Sequence, residues 1–179
     1  MSELKSIWLG QVNVGKTSLL MTGCQPALNQ KKFPPTMGID AIFFLDRGNP
    51  ENRMMCWDTS GHERFESVVT MFFKQCQIAV LVYDVNNPSS FETAIRWHKR
   101  LLKGMKVYMV GNKMDLENKI EPESVEKYCT EHQIEHFKFE STDIAAVQAF
   151  MTYMIEYSGV QAFQITTSTD VTQDCCTVA

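Results

Sequence analysis

The chain has 179 residues, 44% hydrophobic and 21% charged, which fits one globular domain with a full-sized core and excludes a disordered or collagen-like chain. Seventeen Lys and Arg against 21 Asp and Glu leave a net charge of −4, and no run of Lys or Arg exceeds two residues, so nucleic acid is not an expected partner.

In chain order, a strand is predicted over 4–9, and Gly10-Gln11-Val12-Asn13-Val14-Gly15-Lys16-Thr17 follows it directly and opens a helix over 16–25. This spacing is GxxxxGK[ST], a phosphate-binding loop: backbone amides of Gly10, Asn13, Val14 and Gly15 make an anion nest at a helix N-terminus. Lys16 reaches the β and γ phosphates, and the Thr17 hydroxyl is a Mg²⁺ ligand. Alone, the motif implies a nucleoside triphosphate. Thr36 then sits on a loop, free to join the metal shell when the γ-phosphate is present.

Strands over 39–46 and 53–58 form a hairpin-like pair. The second ends in Asp58-Thr59-Ser60-Gly61, which sets a carboxylate at a strand's C-terminal end, able to hold Mg²⁺ through water. Gly61, without a side chain, lets its N–H approach the γ-phosphate. A helix over 67–76, a strand over 77–84 and a helix over 89–103, opened by Pro88-Ser89-Ser90, come next.

The strand over 106–111 runs into Asn112-Lys113-Met114-Asp115, and here the base is selected. A carboxylate accepts from guanine N1–H and N2–H together, a pair that adenine lacks. This argues against an ATPase or a P-loop kinase. A helix over 121–132, entered at Glu121-Pro122-Glu123, a strand over 135–140 and a helix over 144–158 complete the pattern. The order βα, ββ, βαβαβα predicts a mostly parallel sheet with helices on both faces.

With P-loop, DxxG and NKxD in one order, each at a strand end, the chain resembles a Ras-superfamily small GTPase over residues 4 to 158. Trp57-Asp58-Thr59-Ser60-Gly61-His62-Glu63-Arg64-Phe65 and Pro35-Thr36-Met37-Gly38-Ile39-Asp40 are most similar to the Rab branch. The resemblance implies the P-loop NTPase small-GTPase fold, an α/β domain over 1–159 with a six-stranded sheet. It also implies GTP/GDP and Mg²⁺ as ligands and slow hydrolysis to GDP. Lys16, Gly61 and the residue after it hold the catalytic positions, and a base loop near Ser141 and Thr142 helps to bind guanine. The implied partners are an exchange factor, a GTPase-activating protein, prenylation machinery and vesicle-traffic effectors, with the chain itself a monomer.

Departures from the family pattern bear on rate. Where the family has a catalytic glutamine, this chain has His62, and Val12 and Asn13 replace small loop residues. Leu28 stands where an aromatic is expected against the base, with no aromatic before Phe33. The base loop is Glu140-Ser141-Thr142-Asp143, without the family's alanine and lysine. Of the aromatic trio shown to effectors, Trp57 and Phe72 remain, and Ala41 replaces a phenylalanine. The expected result is a switch with impaired intrinsic hydrolysis or, as the alternative, a GTP-locked membrane scaffold.

From about residue 160 periodicity is lost, and a disordered tail over 160–179 is expected, ending in Cys175-Cys176-Thr177-Val178-Ala179. That ending admits a single farnesyl on Cys176 or prenyl groups on both cysteines. The absence of Lys or Arg after Lys138 favours two, because one chain alone anchors only marginally. The six cysteines form no CxxC pair, and no signal peptide or membrane span is visible. The expected location is the cytoplasm, cycling to the cytosolic face of an endomembrane or the plasma membrane.

Overall fold

A computed structural model describes residues 4–28, 33–46, 49 and 53–157. Among the described residues six strands form one sheet: Lys5–Leu9 (β1), Ile39–Leu45 (β2), Arg53–Thr59 (β3), Ile78–Asp84 (β4), Lys106–Asn112 (β5) and Glu135–Phe139 (β6). Their spatial order is β2-β3-β1-β4-β5-β6, parallel throughout except for β2, which runs antiparallel to β3 from Ile39 against Thr59 to Leu45 against Arg53. β4 is buried at every residue, as a central strand covered on both faces must be.

Five α-helices among the described residues cover the sheet: Lys16–Cys24 (α1), Glu66–Met71 (α2), Pro88–His98 (α3), Pro122–Glu131 (α4) and Ile144–Tyr157 (α5). Strand alternation divides the core. Trp8, Val80 and Val110 face α1 and α5, packing on Leu19, Leu20, Phe150 and Met151. Ile7, Leu9, Leu81 and Met109 face the other way, onto Val69, Phe73, Phe91, Trp97 and Val125 of the α2, α3 and α4 side. The parallel strands therefore end at one pole, where β1 and its two neighbours part and a crevice opens.

Two helices differ from their predicted spans. The helix predicted over 67–76 stops at Met71, and a 3₁₀ turn follows over Phe73–Gln75. The tighter turn lets consecutive aromatics serve two neighbours: Phe72 meets Trp57 edge-on at 4.7 Å, and Phe73 meets Trp97 at 6.1 Å. The helix predicted over 89–103 ends at His98. Lys106 N–H must reach the Gln77 carbonyl at 2.8 Å to start β5, and Gly104 at φ +90° completes the turn back. The remaining strands and helices lie within about two residues of their predicted bounds.

Cys24, Cys56, Cys76 and Cys129 carry free thiols. Among the described residues no helix is long and apolar enough to cross a membrane. The tail over 160–179, with Cys175 and Cys176, lies outside the described residues.

Candidate functional site

The crevice at the carboxyl ends of the strands is a cavity of about 510 Å³, bounded by the 10–17 loop, the 33–36 segment, the 59–62 segment, Asn112 to Asp115 and the 140–142 loop. The glycine loop is shaped by left-handed backbone at Asn13, φ 63°, and Gly15, φ 97°, the residue before α1. A β-carbon on Gly15 would lie 2.2 Å from Asn112 Nδ2, so the loop and the NKxD segment touch only because this residue is glycine. The contact is made by Asn112 Nδ2 donating to the Val14 carbonyl at 2.8 Å.

Lys16 is buried, and its Nζ donates to the carbonyls of Gly10 and Gln11, both at 3.0 Å. Burial pulls its ammonium down to about 8, opposed by the negative charge of Asp58. A buried cation held by carbonyls alone is a seat for an anion.

Beside it, Thr17 Oγ1 donates to Asp58 Oδ2 at 2.6 Å and Thr36 Oγ1 donates to the same oxygen at 2.9 Å, the two hydroxyls lying 3.0 Å apart. Asp58 Oδ1 is buried without a hydrogen-bond partner. Burial pushes this carboxyl above the usual carboxylate range, while the two threonine hydroxyls and Lys16 pull it back. Two hydroxyls and a carboxylate with one unmatched oxygen are hard donors suited to Mg²⁺, so the residues present fit that ion.

Gly61 lies against the glycine loop. A β-carbon there would come within 2.2 Å of Val12 N and 2.4 Å of the Gln11 carbonyl carbon, both backbone atoms that cannot swing aside. His62 follows and lines the cavity, its backbone N–H 3.4 Å from Ser60 Oγ.

At the far end, Asn112, Lys113 and Asp115 line the cavity with Ser141 and Thr142. Lys113, at φ 66°, pairs its Nζ with Asp84 Oδ2 at 2.6 Å. The 140–142 loop is tied to α1 by buried Thr22, whose hydroxyl donates to the Ser141 carbonyl at 2.5 Å. Asn112 Oδ1 is a second buried oxygen without a partner.

Of the residues singled out in the sequence, Asn13, Gly15, Lys16, Thr17, Thr36, Gly61, His62, Asn112, Lys113, Asp115, Ser141 and Thr142 share this one cavity. Gly10 and Val14 stand behind it and contribute carbonyls to Lys16 and Asn112, and Asp58 sits behind the two threonines. Leu28, in a short 3₁₀ turn over Pro26–Leu28, does not line the cavity, whereas Phe33 does. Sequence reasoning missed the Phe33-Pro34-Pro35 wall, whose signal is an aromatic fixed by two prolines just before Thr36. It also missed Asp84, readable as a further acid at a strand's carboxyl end.

The Ras family profile matches residues 5–158. Ras-related protein Rab-7b of Mus musculus is 34% identical over 160 residues, 83% of this chain and 79% of that protein. Ras-related protein Rab-13 of Bos taurus is 31% identical over 141 residues, 75% of this chain and 69% of its own length. Ras-related protein Rab-21 of Mus musculus is 32% identical over 141 residues, 75% of this chain and 64% of that protein.

Proposed function

This chain belongs to the Ras family of small GTPases, in its Rab branch, and on that premise we propose that it is a GTP/GDP switch of vesicle traffic whose intrinsic hydrolysis is slow. One observation carries the reading: Thr17 and Thr36, from segments 19 residues apart, converge on Asp58 beside buried Lys16, in the cavity that also holds Asn112 and Asp115.

In this reading the loop amides and Lys16 hold the β and γ phosphates, and Asp115 pairs with guanine N1–H and N2–H. Ser141 and Thr142 close the base side. Mg²⁺, held by Thr17, Thr36 and, through water, Asp58, would neutralise charge growing on the phosphoryl oxygens. Gly61 offers its N–H to the γ-phosphate. His62 is left to orient the attacking water. Neutral imidazole has one donor and one acceptor nitrogen, but on opposite sides of the ring, so it cannot present both from one end as a glutamine amide does. Val12 adds a β-branched side chain at the same wall. Both changes act to lower the rate.

Loss of the γ-phosphate would release Thr36 and Gly61, and with them the faces that carry Met37, 69% exposed, and Met71, 72% exposed. Together with Trp57 and Phe72 these residues offer effectors an apolar surface that changes with the nucleotide. Exchange factors and GTPase-activating proteins would act on the same segments of a monomeric chain. Prenyl groups on Cys175 and Cys176 would hold the switch on a cytosolic membrane face.

A second reading, a GTP-locked scaffold that recruits partners without cycling, is favoured by the coincidence of Val12 and His62 in one cavity. Single-turnover GTP hydrolysis on purified protein, with and without cell extract, separates the two. We expect a rate below the ~10⁻⁴ s⁻¹ of a small GTPase with glutamine at this place, raised by His62→Gln and by extract. A wild-type rate at or above that value contradicts slow hydrolysis. A slow rate that extract leaves unchanged favours the scaffold.

A further inference from the structure

The pole opposite the cavity, where the parallel strands begin, carries a concentrated positive charge. From residue 96 to 106, across the end of α3 and the turn into β5, stand Arg96, Lys99, Arg100, Lys103 and Lys106 with no acidic residue among them, in a chain whose net charge is −4. Lys99, Arg100 and Lys103 are exposed, and Leu102 stands between them 43% exposed. Arg100 is bonded to Glu66, and Lys106 Nζ lies 2.5 Å from Glu135 Oε1. Lys99 and Lys103 make no ion pair among the described residues. Exposed Lys74 borders, with Lys103 and Lys106, a groove of about 310 Å³. Among the described residues, Asp46 follows β2 at this pole, and Glu131 and Glu156 stand in the last turns of α4 and α5.

The last helix finishes at the same pole. Tyr153 of α5 donates its hydroxyl to Glu135, the carboxylate that also holds Lys106, and Tyr157 stacks on Tyr153 at 4.6 Å. α5 therefore ends beside the basic turn, and the sequence after it, residues 158–179, contains two aspartates, no Lys or Arg, and Cys175-Cys176. A tail of this composition supplies thiols for lipid but no attraction to an anionic leaflet.

We infer that the α3–β5 turn, through Lys99, Arg100, Leu102 and Lys103, docks on anionic lipid at the membrane surface, with the nucleotide cavity turned to the cytosol. The fold thus provides the electrostatic signal that the tail lacks. Each basic side chain near a negatively charged leaflet strengthens binding about fivefold, over a range of about one Debye length. Leu102 adds an apolar contact at the headgroup boundary. The membrane location rests on the lipidation proposed above; the preference for anionic vesicles does not.

The test uses the full GDP-bound chain in two forms, unlipidated from bacteria and as isolated from eukaryotic cells, cosedimented with vesicles of phosphatidylcholine alone or mixed with phosphatidylserine. Wild type is expected to prefer the mixed vesicles and to lose that preference in high salt. K99E/K103E should weaken binding to mixed vesicles at least tenfold in both forms, with GDP retained. The control K119E/K127E, equal in net charge change, should not. Equal binding to both vesicle types, or equal losses in the two double variants, overturns the inference. Absence of lipid on the eukaryotic form overturns the lipidation reading alone, because the unlipidated arm still reports on the basic turn.

Discussion

Lys16 shows how burial tunes a single side chain. Its pKa is pulled from the ordinary lysine value to about 8 by burial, so half of the nucleotide-free protein carries a neutral amine near that pH. Phosphates of a bound nucleotide favour the charged form. Nucleotide affinity should therefore be full below about pH 7 and fall as pH rises through about 8, and at that pH binding should take up roughly half a proton. Calorimetry of GDP binding in two buffers of different ionisation enthalpy measures the uptake. Affinity that stays constant across this range with no proton taken up would contradict the assignment of Lys16 to the phosphates. His62 and Val12 belong to this scale too: each was readable as a departure from a motif, and the structure adds only that both line the same cavity.

At the scale of elements, α1 does more than present Lys16 and Thr17. Through Thr22 it also holds the Ser141 carbonyl, so the helix that presents Lys16 and Thr17 also fixes the 140–142 loop. Thr22→Val keeps the shape and removes the hydrogen bond, worth about 1 kcal/mol. GDP should then dissociate about fivefold faster, read by displacement of a fluorescent GDP analogue. An unchanged rate would mean that the base loop holds itself. This link was not legible in the sequence, where Thr22 and Ser141 stand 119 residues apart and Thr22 belongs to no motif. The strands were legible as apolar runs, and the motifs at the ends of β1, β3 and β5 mark the pole at which their ends carry chemistry. The breaks after Met71 and His98 were not. In both places the apolar spacing continues, and the backbone departs from the helix to seat Phe73 against Trp97 or to bring Lys106 to β4. The same geometry explains Leu28. Its distance in sequence from Thr17 suggested a place against the base, yet its 3₁₀ turn sets it outside the cavity, and the nearest aromatic on that wall is Phe33.

For the whole molecule, the sheet separates two jobs. Carboxyl ends of the strands gather the glycine loop, Thr17, Thr36, Asp58 and the Asn112 to Asp115 segment, while the opposite pole gathers the basic turn and the end of α5. The site was largely legible because its motifs lie at strand ends, and parallel strands bring such ends together. The basic turn was not, because its cations are spread over residues 96–106 with no run longer than the pair Lys99-Arg100, and Lys74 joins them only in space.

We propose that this cavity binds guanine nucleotides with Mg²⁺ and rejects adenine. Competition against a fluorescent GDP analogue on the full chain tests it most directly. Displacement by GTP and GDP is expected, with none by ATP at equal concentration, loss of the analogue when Mg²⁺ is chelated, and a shift toward xanthine nucleotides in Asp115→Asn. Displacement by ATP as effective as by GDP would contradict it.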